Sequence, residues 1–319
     1  MKIGRQRQRR EEVRRIGAFS AWMLLAIAAL CWAGNFVLGR AMHAEIPPVA
    51  FTFWRWTVAG LVLLPFAGRD LWRHRAAFMR HWPLAVALAA TGVCLFHVLV
   101  YTALHSTTAT NAGLILAITP LVIPVMSYVF DRTPLSVRQA LGIALSLVGV
   151  GVIIVRGDVA VLRGLRLADG DLWMLLAVPT WALYALLLRH VPDDWPSLAT
   201  ILAITACGLV MLAPLYAWEL AVVGGLALTL DNITALAYVS VFASVVAYIC
   251  WNRGVAVIGA TRAGLSMHLT PLFAAALAVV LLGERLHPFH AVGVVLIGLG
   301  ILLTATERPR PLRVSEKGT

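Results

Sequence analysis

The chain has 319 residues, of which 61% are hydrophobic and 13% charged, and it carries a formal net charge of +11. Soluble domains hold about 25% charged and about 45–50% apolar residues, so this composition excludes a cytosolic enzyme, a disordered chain and a secreted disulfide scaffold. It fits a polytopic helical membrane protein, and no nucleic acid is expected as partner. Seven of the 26 Lys and Arg fall in the first fifteen residues, and others lie in short gaps between apolar runs.

A membrane-crossing helix needs about 20 apolar residues. Apolar windows predict ten spans, at 18–39, 47–67, 82–104, 108–130, 137–155, 171–189, 196–218, 232–252, 262–282 and 287–305. The polar stretch His105–Thr110 supplies the turn that divides one long apolar run into the third and fourth. Residues 1–17 form a basic tail, 156–170 an outer (periplasmic) linker and 307–319 a second tail. The start is no signal peptide: its charged region is long and the apolar run Ile16–Gly39 is itself long enough to span. Cys31, Cys94, Cys207 and Cys250 sit inside apolar runs without a C-x-x-C pair, and read as small buried hydrophobes. No metal and no cofactor is expected.

Lys and Arg set the orientation. With the N-terminus inside, tails and inner loops hold twenty of them. The outer loops hold five: Arg40, Arg156, Arg163, Arg166 and Arg285. This bias places both termini in the cytoplasm of a multi-pass protein of the plasma membrane, the inner membrane of a bacterium. Anionic lipids at the cytoplasmic face are the expected partner of the basic tail.

The two halves repeat. A shift of 151 residues matches Ala109–Gly149 to Ala260–Gly300 without a gap, with 14 of 41 positions identical. Among them are Gly113/Gly264, Pro120/Pro271, Gly142/Gly293 and Gly149/Gly300. The same shift pairs the W-M-L-L-A stretches that begin at Trp22 and Trp173; a slip of two residues then aligns Trp32 with Trp181 and Arg40 with Arg189. Each half, 18–155 and 171–306, holds five spans. An odd number gives the second copy the opposite polarity, which is a transporter signature. The expected fold is therefore an all-α integral membrane protein, with ten transmembrane helices arranged as two inverted-topology five-helix repeats.

The W-A-G-N-F stretch Trp32–Phe36, Phe53-Trp54-Arg55, Thr119-Pro120, Leu269-Thr270-Pro271-Leu272 and Gly283-Glu284 are similar to motifs of the EamA-type drug/metabolite transporters. The resemblance covers about 18–306 and departs at Thr133, where the second repeat has Glu284. It implies a secondary transporter whose central cavity is lined by the first, third, fourth, sixth, eighth and ninth spans. It is nearly silent on substrate.

Intramembrane polar and aromatic side chains are the candidate site. No Asp or Glu lies in the middle of a span, which argues against an exchanger of cationic drugs. Glu284, at the outer end of the ninth span, reads as a cap. His97, Tyr101 and His105 recur at i, i+4, i+8 along one face of the third span, for a wet cavity or for helix–helix bonds. His268, mid-way along the ninth, is the best placed ionisable group for a central site, with a satisfied structural histidine as the other reading. Arg55 lies roughly 10–12 Å from the outer end of the second span, as an anion contact or a structural cation. Trp32 and Asn35, Trp181 and Tyr184, and Tyr248 and Asn252 with Trp251 beside them share faces of the first, sixth and eighth spans. Asn111 opens the fourth. Gly142, Ser146 and Gly149 mark the fifth span as scaffold, mirrored by Gly293 and Gly300 on the tenth. The matched Pro120 and Pro271 are candidate hinges.

Together these features point to a monomeric or homodimeric transporter of a small organic solute, an amino acid or related metabolite, moved outward by alternating access. A drug or nucleotide-sugar carrier is the nearest alternative. A membrane enzyme or a non-transporting scaffold is the rival class. G-L-S at Gly264–Ser266 is no nucleophile elbow, since His268 replaces its last glycine.

Overall fold

In a computed structural model, the described residues are 17–42, 47–107, 109–132, 134–155, 158, 160, 169–227, 229–282 and 287–305. Both tails, Thr133, Arg156, Arg163, Arg166, Glu284 and Arg285 lie outside them. Helices occupy all ten expected windows. They are α1 (Ala18–Met42), α2 (Pro48–Arg73), α3 (Trp82–Ser106), α4a (Ala109–Leu116) with α4b (Thr119–Asp131), and α5 (Val137–Ile154). The second half supplies α6 (Asp169–Leu187), α7 (Ser197–Val222), α8 (Leu230–Ile258), α9a (Ala260–Leu265) with α9b (Leu269–Leu282), and α10 (Pro288–Ala305).

Among the described residues, six helical segments are long and apolar enough to cross a bilayer: α2, α3, α5, the α6 segment extended to His190, α7 and α8. Shorter apolar stretches lie at Phe19–Asn35, Thr119–Phe130 and Pro288–Thr304. Large apolar side chains such as Phe66, Val137 and Val210 stand on the outside, where hydrocarbon rather than water is their natural solvent. The chain is an all-helical membrane protein.

Local chemistry explains several boundaries. Ser136 and Gln139 form a capping box at the start of α5, each side chain accepting the other residue's backbone N–H. The Glu219 carboxylate, near the end of α7, accepts the backbone N–H of Val49 at 3.1 Å and of Ala50 at 2.6 Å. It thereby closes the N-terminus of α2, where an anion is electrostatically favoured.

Irregularities recur in register. The backbone of α3 widens into a π-turn at Ala90–Leu95, and α8 does so at Val239–Val246. The 151-residue shift carries the first of these into the second. The fourth segment breaks at Ala117–Ile118 before Pro120, and the ninth tightens into a 3-10 turn at Ser266–His268 before Pro271. Proline lacks the N–H that would continue the ladder, so both breaks have the same cause.

Packing follows the same pairing. Helix α3 lies on α6 as α8 lies on α1; α9b lies on α1 as α4b lies on α6; α2 packs on α7 and α5 on α10. The halves thus interlock instead of sitting side by side. Between α5 and α10 a Cβ added at Gly142 would come within 2.7 Å of Gly300 O, and one at Gly149 within 3.0 Å of Gly293 O. Gly142 facing Gly300 while Gly149 faces Gly293 makes these two helices antiparallel. Absent side chains let their backbones touch.

Candidate functional site

Where α1, α6 and α8 converge, rings from both halves interlock. Trp32 meets its repeat counterpart Trp181 edge-on, with centroids 5.2 Å apart, and both lie 5.5 Å from Trp251. Tyr248 stands 5.8 Å from Trp181 and 5.7 Å from Tyr184. From the other side Trp56 approaches Tyr248 at 5.0 Å and His97 at 5.5 Å. Edge-to-face geometry is what ring quadrupoles favour, and each such pair adds about 0.5–1.5 kcal/mol beyond burial.

A polar chain borders these rings. Arg55, 1% exposed, donates from Nε to Ser244 Oγ at 2.5 Å, from Nη1 to Tyr101 Oη at 2.8 Å and from Nη2 to Ala243 O at 3.0 Å. Tyr101 in turn donates to Asn35 Oδ1 at 3.0 Å. In the second half Tyr184 donates to Asn252 Oδ1 at 2.9 Å. Asn35 and Tyr184 are repeat counterparts, as are Tyr101 and Asn252. The same bond therefore occurs in each half with tyrosine and asparagine exchanged.

Both π-turns present carbonyls to this centre. Tyr248 Oη donates to Gly92 O, while Trp32 Nε1 (3.1 Å) and Arg55 Nη2 share Ala243 O. Gly92 and Ala243 are counterparts under the 151-residue shift. A π-turn frees carbonyls from the helical ladder, which is why such turns gather at functional sites.

The structure thus brings together Trp32, Asn35, His97, Tyr101, Trp181, Tyr184, Tyr248, Trp251 and Asn252, with Arg55 tied to them. His268 stands apart. Its Nε2 donates to Ala117 O at 2.9 Å, so Nδ1 is left as the acceptor of the Ser146 hydroxyl at 2.5 Å. Both ring nitrogens are engaged between α4, α5 and α9, and among the described residues His268 makes no ring contact with the cluster. His105 is exposed at the end of α3. Asn111 lies in the first turn of α4a, and its side chain falls outside the described part. Pro120 and Pro271 sit just past the two breaks. No group of three or more His, Cys, Asp or Glu able to hold a metal occurs among the described residues.

Sequence reading missed Trp56, Phe96 and Ser244. Trp56 lies with Thr52, Arg55, Ala59 and Leu63 on one buried face of α2, which the apolar sequence around it did not mark. Phe96, 4.8 Å from Trp181, sits just after the π-turn that rotates the α3 face, and no sequence signal marked that turn.

The pattern of the EamA-like transporter family matches residues 19–155 and again 168–306. The chain belongs to the EamA-like transporter family. An uncharacterized transporter, YyaM, of Bacillus subtilis is 25% identical over 280 residues, covering 88% of this chain and 91% of that one. An uncharacterized transporter of Archaeoglobus fulgidus is 26% identical, over 90% and 97%. A probable terminal-alkyne amino-acid exporter of Streptantibioticus cattleyicolor is 27% identical, over 89% and 92%. One solved crystal structure shares the fold, with a TM-score of 0.66 at 19% identity, covering 89% of this chain and 96% of that one. The protein is a membrane transporter built from two EamA repeats.

Proposed function

We propose that the protein exports an amino acid or related small metabolite through the aromatic cluster, by alternating access between two inverted five-helix repeats. The observation that carries this is the meeting of the repeat-related Trp32 and Trp181 at the centre of the cluster. A site on the boundary between two equivalent halves opens to either side when the halves exchange conformations. Trp32, Asn35, His97, Tyr101, Trp181, Tyr184, Tyr248, Trp251 and Asn252 line it, and Pro120 and Pro271 mark the flexing points.

The antiparallel contact of α5 with α10 supports inversion, since repeat-related helices that touch in opposite directions are related by an axis lying across them. The name of the Streptantibioticus relative supports the substrate class. The basic residues of the tails and inner loops support cytoplasmic termini in a bacterial inner membrane.

Counterflow of radiolabelled amino acids into liposomes holding the purified protein tests the substrate. At least one should accumulate against unlabelled solute, and no movement of any would remove this class. Ala160→Cys and Ala76→Cys, each in a chain without Cys31, Cys94, Cys207 and Cys250, should label from opposite sides. Labelling from one side would overturn the inverted topology.

A further inference from the structure

The hydrogen-bond inventory of the aromatic cluster is weighted towards donors. Among the described residues, the indole N–H groups of Trp56, Trp181 and Trp251 are fully buried and have no acceptor. Indole nitrogen only donates. A guanidinium has five N–H donors, and Arg55 uses three, all on neutral oxygens. No carboxylate pairs with Arg55 among the described residues, although a buried charge ordinarily requires such a partner.

The oxygen acceptors at the centre each already hold a bond, and His97, whose Nδ1 donates to Val93 O at 3.2 Å, adds only a neutral Nε2 acceptor. Asn35 Oδ1 is bonded by Tyr101, Asn252 Oδ1 by Tyr184, Gly92 O by Tyr248, and Ala243 O by both Trp32 and Arg55. Among the described residues, the two buried carboxylates are occupied elsewhere, Glu219 on the first turn of α2 and Asp171 on Thr107. Because Arg55 and Trp32 share one carbonyl, the cation lies at the edge of the ring cluster. A ligand entering here meets donors, a positive charge and ring faces, with no acid to receive an ammonium.

We propose that the group recognised is a carboxylate and that an ammonium is not required: the substrate is a small amphipathic monocarboxylate. Its oxygens take the Trp181 and Trp251 N–H groups and the free guanidinium donors of Arg55, and its apolar body lies against the rings. This rests on the aromatic cluster being the transport site.

Two matched sets of probes test it in proteoliposomes: L-phenylalanine, 3-phenylpropionate and 2-phenylethylamine, and L-leucine, 4-methylpentanoate and 3-methylbutylamine. Binding is read by quenching of tryptophan fluorescence, and movement by counterflow. The acids should bind and move at least as well as the amino acids, and the amines should do neither. Movement of the acids without the amino acids would support this inference while removing the amino-acid reading. Movement of the amino acids without the acids would overturn it and leave that reading standing, and movement of the amines alone would overturn both. If none of the six binds or moves, both fall.

Trp181→Phe and Trp251→Phe keep a ring and delete the donor, so each should weaken binding of 3-phenylpropionate roughly ten-fold. Trp195→Phe is the control, because the Trp195 indole is also unpartnered but packs on Phe78 away from the cluster. It should leave binding unchanged. An equal loss in all three would overturn the assignment of the donors to the ligand.

Discussion

The two repeats share a scaffold but differ in chemistry. Each widens its third helix into a π-turn, breaks its fourth before a proline, and closes a tyrosine–asparagine bond between its first and third helices. Among the described residues, only the first carries a buried arginine or lysine. The slip that aligns Trp32 with Trp181 extends into α2, where Ala50, Ala59 and Leu63 match Ala199, Gly208 and Leu212, all buried. That register sets Ile204 opposite Arg55 and Thr205 opposite Trp56. In the proposed mechanism, matched backbones let the halves exchange roles, whereas the unmatched charge gives the proposed site one polar end.

The largest expected effect comes from breaking the scaffold that both halves share. Gly300→Leu would drive a side chain into the α5 backbone, where a Cβ already meets Ser146 and Gly142. Overpacking against backbone that cannot yield should cost about 3 kcal/mol or more. Thermal unfolding in detergent should show a marked fall in Tm, or no folded protein. A variant with wild-type Tm would mean that α5 and α10 do not pack as described.

Arg55→Gln tests the asymmetry next. It removes the charge and one bond each from Ser244, Tyr101 and Ala243 O, which keep their bonds to Val239, Asn35 and Trp32, and it should cost about 1–3 kcal/mol of stability. Transport should fall at least about ten-fold, the equivalent of one lost charge-assisted bond. Full activity in Arg55→Gln would show that the cation is not what distinguishes the halves.

A smaller contrast separates the two tyrosines. Tyr101 accepts from a guanidinium and donates to Asn35, while the recorded bond of Tyr184 is a single donation to Asn252. Bonds to charged groups are worth about 1.5–3 kcal/mol and neutral ones about 1 kcal/mol. Tyr101→Phe should therefore lower stability by about two and a half to four times as much as Tyr184→Phe in the same unfolding assay. Equal losses would make the bonds equivalent in energy as well as in position.

These contrasts also explain what was legible beforehand. All ten helical segments followed from apolar windows, because hydrocarbon demands long apolar helices and leaves little ambiguity. Pairing Trp32 with Trp181 needed only the repeat. The position of His268 was not legible: it lies across from Ala117, its own counterpart, and its bond to Ser146 depends on how α5 meets the break in α9. The π-turns were equally hidden: an extra residue rotates the face of a helix by about 100°, but a helix that is apolar on every side shows no break in its pattern. Lipid-facing and protein-facing positions are both apolar here, so pattern alone did not separate Trp56 from the more exposed Trp54.

The smallest expected effect distinguishes glycines that repeat from those that do not. Gly142, Gly149, Gly293 and Gly300 are matched between halves, and a Cβ at any of them would press on the facing helix. Gly151 and Gly298 lie on the same two helices, but their counterparts are Leu302 and Leu147, and a Cβ at either meets nothing within 4 Å. On these two helices repetition has kept glycine only where the backbones touch. At the open positions glycine costs helix stability without helping packing, by about 0.5–1 kcal/mol relative to alanine. Gly151→Ala and Gly298→Ala should leave Tm unchanged or raise it slightly, while Gly142→Ala lowers it. If Gly298→Ala were as damaging as Gly142→Ala, the repeat would not be reporting helix contact, and the pairing of α5 with α10 would lose its support from the sequence.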